Sequence, residues 1–306
     1  MRTLSDSIFQ RTKSLIAVSA SCALCTGLCS AAPFFFSTGN PDGRMATASR
    51  PPGGPGIFEI ESADDFVLTG TSTTLTSATF TGLIPAGSSV GEVKVEIYRV
   101  FPKDSNVGRT SGPPTFSTPE VPTRVNSPSD VEFASRDSSV GGELSFSTSD
   151  LGAFTVVNSV VPGGIHAKPG QTTGGNGAAS GEEVAFDVNF TTPFDLPADH
   201  YFFVPQVELD TGAFLWLSAP RPIVAPGTPF PPGFTDLQSW TRDQFLDPDW
   251  LRVGTDIVGP PSVGGPAPTF NAAFSLTGSV PEPGTVALLG AGVLAAWWRR
   301  RRAAAQ

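Results

Sequence analysis

The decapeptide EEVAFDVNFT, residues 182–191, alternates strictly. Val184, Phe186, Val188 and Phe190 fall on one side, and Asp187 and Asn189 lie between them. Successive side chains of a strand point to opposite faces, so a period of two turns one face to a core and the other to water. EVKVEIY (92–98) repeats the pattern, with Val93, Val95 and Ile97 opposed by Lys94 and Glu96. TFNAAFSLTG (269–278) does so with Phe270, Ala272, Phe274 and Leu276. DDFVLTG, LTSATFTG, ELSFS, AFTVVN, HYFFV and AFLWLS add shorter stretches, giving about nine strands and no helix before residue 280. Strands without helices bury their faces against another sheet. The pattern therefore predicts an all-β fold, an antiparallel, jelly-roll-like β-sandwich over residues 57–279. The 23 Phe against two Tyr suit a core of rings with few hydroxyls to satisfy. A solenoid is disfavoured, because no fixed-period self-similarity is present.

The N-terminus reads differently. MRTLSDSIFQRTK carries Arg2, Arg11 and Lys13, and SLIAVSASCALCTGLCSAA follows, apolar and small. These are the three regions of a secretory signal peptide, residues 1–31, with cleavage after Ala31. Such a segment requires the secretory translocon and signal peptidase as partners. Cys22, Cys25 and Cys29 all lie inside it. A mature chain without cysteine has no disulfide, thiolate metal site or cysteine nucleophile.

Residues 32–280 hold 12 of the 19 Lys+Arg and 26 of the 28 Asp+Glu, a net charge near −14. Such a surface repels nucleic acid and anionic lipid and accommodates cations or neutral polysaccharide. Residues 32–56 include NPDGRMATASRPPGGPG (40–56), whose Pro and Gly content reads as a flexible leader. Connections at 103–129, 162–181 and 219–235 exceed the usual limit of about 12–15 residues for structureless loops.

Motifs for catalysis are sparse. The two histidines are His166 and His200, and Asp199 beside His200 falls on the opposite face of a strand. Nucleophile elbow, zinc spacing, P-loop and dinucleotide fingerprint are all lacking. No cofactor is implied. Asp64-Asp65 and the pair Asp247/Asp249 offer oxygen ligands for a hard cation, although strand-end and turn carboxylates are the plainer reading. Trp216 in FLWLS looks like core. Trp240 and Trp250 sit in polar surroundings and are candidates for stacking on sugar rings. These features leave three readings: a non-catalytic exported protein, a carbohydrate-binding module, and a hydrolase working through two or three carboxylates.

The chain ends VPEPGTVALLGAGVLAAWWRRRRAAAQ, residues 280–306. The apolar run Gly284–Trp298 spans roughly 22 Å as a helix, against a hydrocarbon core of about 30 Å. Trp297 and Trp298 suit the membrane interface, and Arg299, Arg300, Arg301 and Arg302 form a cytoplasmic stop. Pro281-Glu282-Pro283, the short span and the arginine run, in that order, resemble the PEP-CTERM sorting signal. That resemblance implies a transient halt in the inner membrane of a Gram-negative bacterium. It also implies recognition of Pro281, Glu282 and Pro283 by exosortase, a membrane-embedded protease, and release to the cell surface or an exopolysaccharide matrix. A marginal span is adequate for a temporary halt. The segment ADDFVLTG (63–70) is similar to uncharacterised β-sandwich modules of exported bacterial proteins.

Overall fold

The computed structural model describes residues 31–109, 124–165, 172–220 and 228–281, together with Gly292, Trp297 and Arg301. Residues 1–30, which hold all three cysteines and nearly all of the segment read as a signal peptide, and His166 lie outside the described residues. Thirteen strands follow in order: β1 Ala32–Ser37, β2 Met45–Ala48, β3 Ile60–Ile84, β4 Val90–Arg99, β5 Ala134–Asp137, β6 Leu144–Val156 and β7 Asn158–Val160. The remainder are β8 Ala179–Leu209, β9 Leu215–Ala219, β10 Trp240–Asp243, β11 Leu251–Arg252, β12 Asn271–Ala272 and β13 Phe274–Val280.

Two long strands organise the domain. β3 and β8 pair antiparallel along most of their lengths, with register breaks between Leu68 and Ser72 and between Leu75 and Ser77. Asp64 lies opposite Phe203, and Phe80 lies opposite Phe186. In a straight ribbon, the 16 residues from Asp64 to Phe80 would put Phe80 roughly 54 Å from Phe203 at about 3.4 Å per residue. Their rings are instead 6.3 Å apart. The ribbon is therefore folded over on itself, near Gly70, whose φ of 104° suits glycine. One layer runs β5-β4-β8-β3-β10-β11 and uses the ends of β3 and β8 near Asp64 and Phe203. The other runs β6-β8-β3-β13-β1 and uses their opposite ends.

The space between the layers is packed with aromatic rings. Phe203 stacks on Phe274 at 5.0 Å, Phe80 stacks on Phe186 at 4.8 Å, and Phe214 meets both of the latter edge-on. Gly82 makes room for this packing, because a Cβ there would lie 2.0 Å from the Phe214 ring. Trp216 closes the group and donates its ring N–H to Ala273 O at 2.9 Å. A second apolar cluster gathers Met45, Ala46, Val156, Leu217, Val253 and Phe270 around β2, β7 and β9. The fold is thus an all-β sandwich, with one departure from the antiparallel expectation: β2 and β7 pair in parallel.

Two parts of the pattern differ from the sequence reading. The stretch read as a flexible leader carries β1 and β2, and all four residues of β2 are buried between β7 and β9. Met-Ala-Thr-Ala is short and small-sided enough to fit that central slot, and its brevity hid it among Pro and Gly. Secondly, the polar face of β4 is covered. The segment 236–252 lays Leu237, Trp240 and Trp250 over Ala63, Tyr98, Phe202 and Val204 as a third cluster.

Candidate functional site

Strand alternation sorts the acids of β3. Ser62, Asp64 and Phe66 face the inter-layer core, while Glu61, Ala63 and Asp65 face the covering segment. Asp64 accepts hydrogen bonds from Ala272 N at 2.8 Å and Ser239 Oγ at 3.3 Å. Burial, with Asp65 and Asp236 nearby, holds its pKa well above the usual carboxylate range. Asp65 accepts from Leu237 N at 3.0 Å and lies 2.6 Å from His200 Nε2. Burial raises it to about 6 even though His200 pulls the other way. Both carboxylates are spent on fastening the covering segment and β12 to β3. They point to opposite faces and do not converge on a cation.

Asp247 and Asp249 also separate. Asp247 pairs with Arg242 Nη1 at 2.8 Å, and Asp249 pairs with Arg109 Nη2 at 3.1 Å and faces Arg124 Nη1 at 3.7 Å. Both carboxylates are thus committed to guanidinium groups, neighbours of the same sign as a metal ion. Among the described residues no group of three or more His, Asp and Glu is placed to hold a metal.

Trp240 and Trp250 are fully buried, at 0% exposure. Their ring N–H groups donate to Leu237 O and Ser129 O, both at 3.0 Å. They form the lid over β3 and β4, so their rings are not open to a sugar. The polar residues around them in the sequence are themselves buried partners, which is why the context misled.

Beneath that lid is a polar network that spacing alone did not suggest. Arg242 of β10 grips Glu61 with Nε and Nη2, donates to Tyr98 OH at 2.9 Å, and reaches Asp130 O and Pro248 O at 3.1 and 3.2 Å. Its guanidinium lies 4.4 Å from the Trp250 ring centroid. Tyr98 OH lies 2.6 Å from Glu61 Oε1 and 3.1 Å from Glu96 Oε2. One hydroxyl proton serves one carboxylate, so the second contact calls for a proton on Glu96. Burial and the neighbouring Glu61 charge accordingly push Glu96 up to about 8, against the pull of Lys94 at 2.5 Å.

The sign of the pH effect follows. Glu96 titrates near 4.5 when unfolded and near 8 when folded. Its contribution is complete below 4.5 and is lost as pH rises towards 8. Asp65 behaves likewise between 3.8 and about 6. Each fully shifted group costs up to about 1.4 kcal/mol per pH unit inside its window. The midpoint of thermal unfolding should therefore fall from pH 6 to pH 8, and Glu96→Gln should flatten that slope. Parallel slopes for the parent and the variant would contradict a proton on Glu96.

Among the described residues no nucleophile accompanies His200. His200 touches Phe230 and Phe234 at centroid distances of 5.9 and 5.7 Å. Among the described residues, no hydroxyl is hydrogen-bonded to its ring, as activation of a serine would require. The His200–Asp65 pair joins residues 135 apart in sequence. No spacing signal marks it.

In the tail, Pro281 is exposed. Glu282, Pro283, Trp298, Arg299, Arg300 and Arg302 lie outside the described residues, as does most of 284–298. Gly292, Trp297 and Arg301 are helical, and the Arg301 guanidinium sits 4.3 Å over the Trp297 ring. One helical turn separates the two, so they share a face. Among the described residues no helix is long and apolar enough to cross a membrane. The model of the PEP-CTERM protein-sorting motif matches residues 279–302, which takes in the PEP tripeptide, the apolar run and all four arginines. Comparison with curated proteins and with solved structures gives no match.

Proposed function

We propose that this chain, which carries the PEP-CTERM sorting motif of an exported, exosortase-sorted protein, serves through its β-sandwich at the cell surface or in the extracellular matrix without catalysing a reaction. The secretory translocon and signal peptidase act on residues 1–31. The apolar run 284–298 then halts in the inner membrane with Arg299–Arg302 on the cytoplasmic side, and exosortase reads Pro281-Glu282-Pro283. The motif match at residues 279–302 supports this reading, because the PEP tripeptide, the apolar run and the arginines follow one another in the order that export followed by processing requires.

The non-catalytic assignment draws on where the acids lie. Asp64, Asp65, Glu61, Glu96 and Asp249 are buried in ion pairs and backbone hydrogen bonds. A hydrolase needs two carboxyl groups facing a substrate, and these face the protein. Polysaccharide binding is the second reading, and it is favoured by a polar sheet face on the other layer.

Glu282→Ala tests the sorting role. It removes the charged recognition group and leaves the arginine stop in place, so the variant should accumulate as an uncut precursor in the membrane fraction. Cell fractionation followed by immunoblotting reads both size and place. A variant released at the parent's size and rate would overturn the assignment.

A further inference from the structure

The strand around Asp187 also builds a surface. Asn189 lies in register with Ser145 of β6 and Ser77 of β3, and Ser77 with Thr277 of β13. Two residues along, Asp187 aligns with Ser147 and Thr79, and Thr79 with Ser275. The residues between these, Phe146, Val188, Ala78 and Leu276, pack into the core. All eight polar side chains therefore stand on the opposite, outward face, as two parallel rungs across four strands. Ser77, Thr79, Ser145, Ser147, Asp187 and Asn189 line a shallow, open groove of about 380 Å³ there.

The chemistry of the face is one-sided. β3, β6, β8 and β13 contain no lysine or arginine. Among the described residues, Asp187 has no cationic partner, and apart from the 2.5 Å contact of Thr79 with Ser275 the lining hydroxyls and the Asn189 amide have no side-chain hydrogen bonds. One strand beyond β13, Phe35 of β1 is 59% exposed, while Phe36 beside it enters the core. Alternation puts the Phe35 ring on the groove side.

We propose that this face binds an extended polysaccharide bearing free amino groups. The proposal rests on the polysaccharide-binding reading of the domain and gives it a site. Neighbouring strands are about 4.8 Å apart, close to the rise of one sugar in an extended chain, so each rung presents hydrogen-bonding groups over roughly 14 Å, the length of about three sugars. Hydroxyls and an amide both donate and accept, as sugar hydroxyls do. Asp187, with no positive charge on its four strands, favours an amine and repels a uronic acid. Phe35 offers a ring for an apolar sugar face, the role the buried tryptophans do not fill.

The test is titration calorimetry on the purified exported protein with chitosan oligosaccharide, dextran and alginate as cationic, neutral and anionic probes. Chitosan should bind and alginate should not. Asp187→Lys should weaken chitosan binding about tenfold. Glu132→Lys, an identical charge change at an exposed site off these four strands, should leave it within about twofold. Asp187→Asn, which preserves shape, should fall between the two. Equal loss in both lysine variants, or dextran bound as tightly as chitosan, overturns the amine-binding groove while a polysaccharide-binding domain stands. No binding of any of the three overturns both.

Discussion

Deleting Arg299–Arg302 should let the chain pass through the membrane and appear outside the inner membrane with its tail uncut. The fifteen residues 284–298 include glycines and alanines and span roughly 22 Å, short of a hydrocarbon core of about 30 Å. They are a weak stop by themselves. Each arginine at the bilayer centre costs about 2.5–3.5 kcal/mol on insertion scales, so four in a row form a barrier the apolar run does not. Without them the recognition motif should spend too little time at the membrane face to be processed. The result is opposite in location to that for Glu282→Ala, which should be held in the membrane. Fractionation with an antibody to the sandwich separates the two. Normal processing of the truncated chain would mean that the apolar run alone sets the halt.

The second large effect is expected at Arg242. Its guanidinium is held by Glu61, Tyr98 OH, Asp247 and two carbonyl oxygens, and it lies over Trp250. Burial alone would raise Glu61, but the Arg242 charge outweighs it and keeps Glu61 below its ordinary pKa. Removing the arginine leaves that charge buried and unpaired, a loss of about 3–5 kcal/mol. Typical domains have about 5–15 kcal/mol in all. Arg242→Ala should therefore lower the urea midpoint sharply. Glu61→Gln combined with Arg242→Met should recover much of the loss, because the double change removes the stranded charge. A loss below about 1 kcal/mol for Arg242→Ala would show that the network is solvated, and it would undercut the lid formed by Trp240 and Trp250.

The alternation of residues 182–191 was a faithful guide: Val184, Phe186, Val188 and Phe190 are core, and Asp187 and Asn189 are exposed. Strand length was less legible. β8 reads as two segments because Pro193 and Pro197 interrupt it, and proline lacks the N–H that a ladder uses. The chain nevertheless stays extended through them, and this continuity lets β3 and β8 serve both layers. The apolar face of β4 was legible as well. Its other face was not, since a period of two shows where side chains point and cannot show that Trp250 and Arg242 arrive to cover Lys94, Glu96 and Tyr98 from more than 140 residues away. The same limit hid Asp65 from His200. The tail was the reverse case: its signal is linear, with order and charge in a short segment, and the sequence carries it without a fold.

The most direct measurement is the intact mass of the protein recovered from outside the inner membrane of its own host. The expected chain has lost residues 1–31 and the apolar and arginine segments 284–306. A recovered chain that still ends at Gln306 would show that release needs no processing of the tail and would contradict the sorting role of Pro281-Glu282-Pro283.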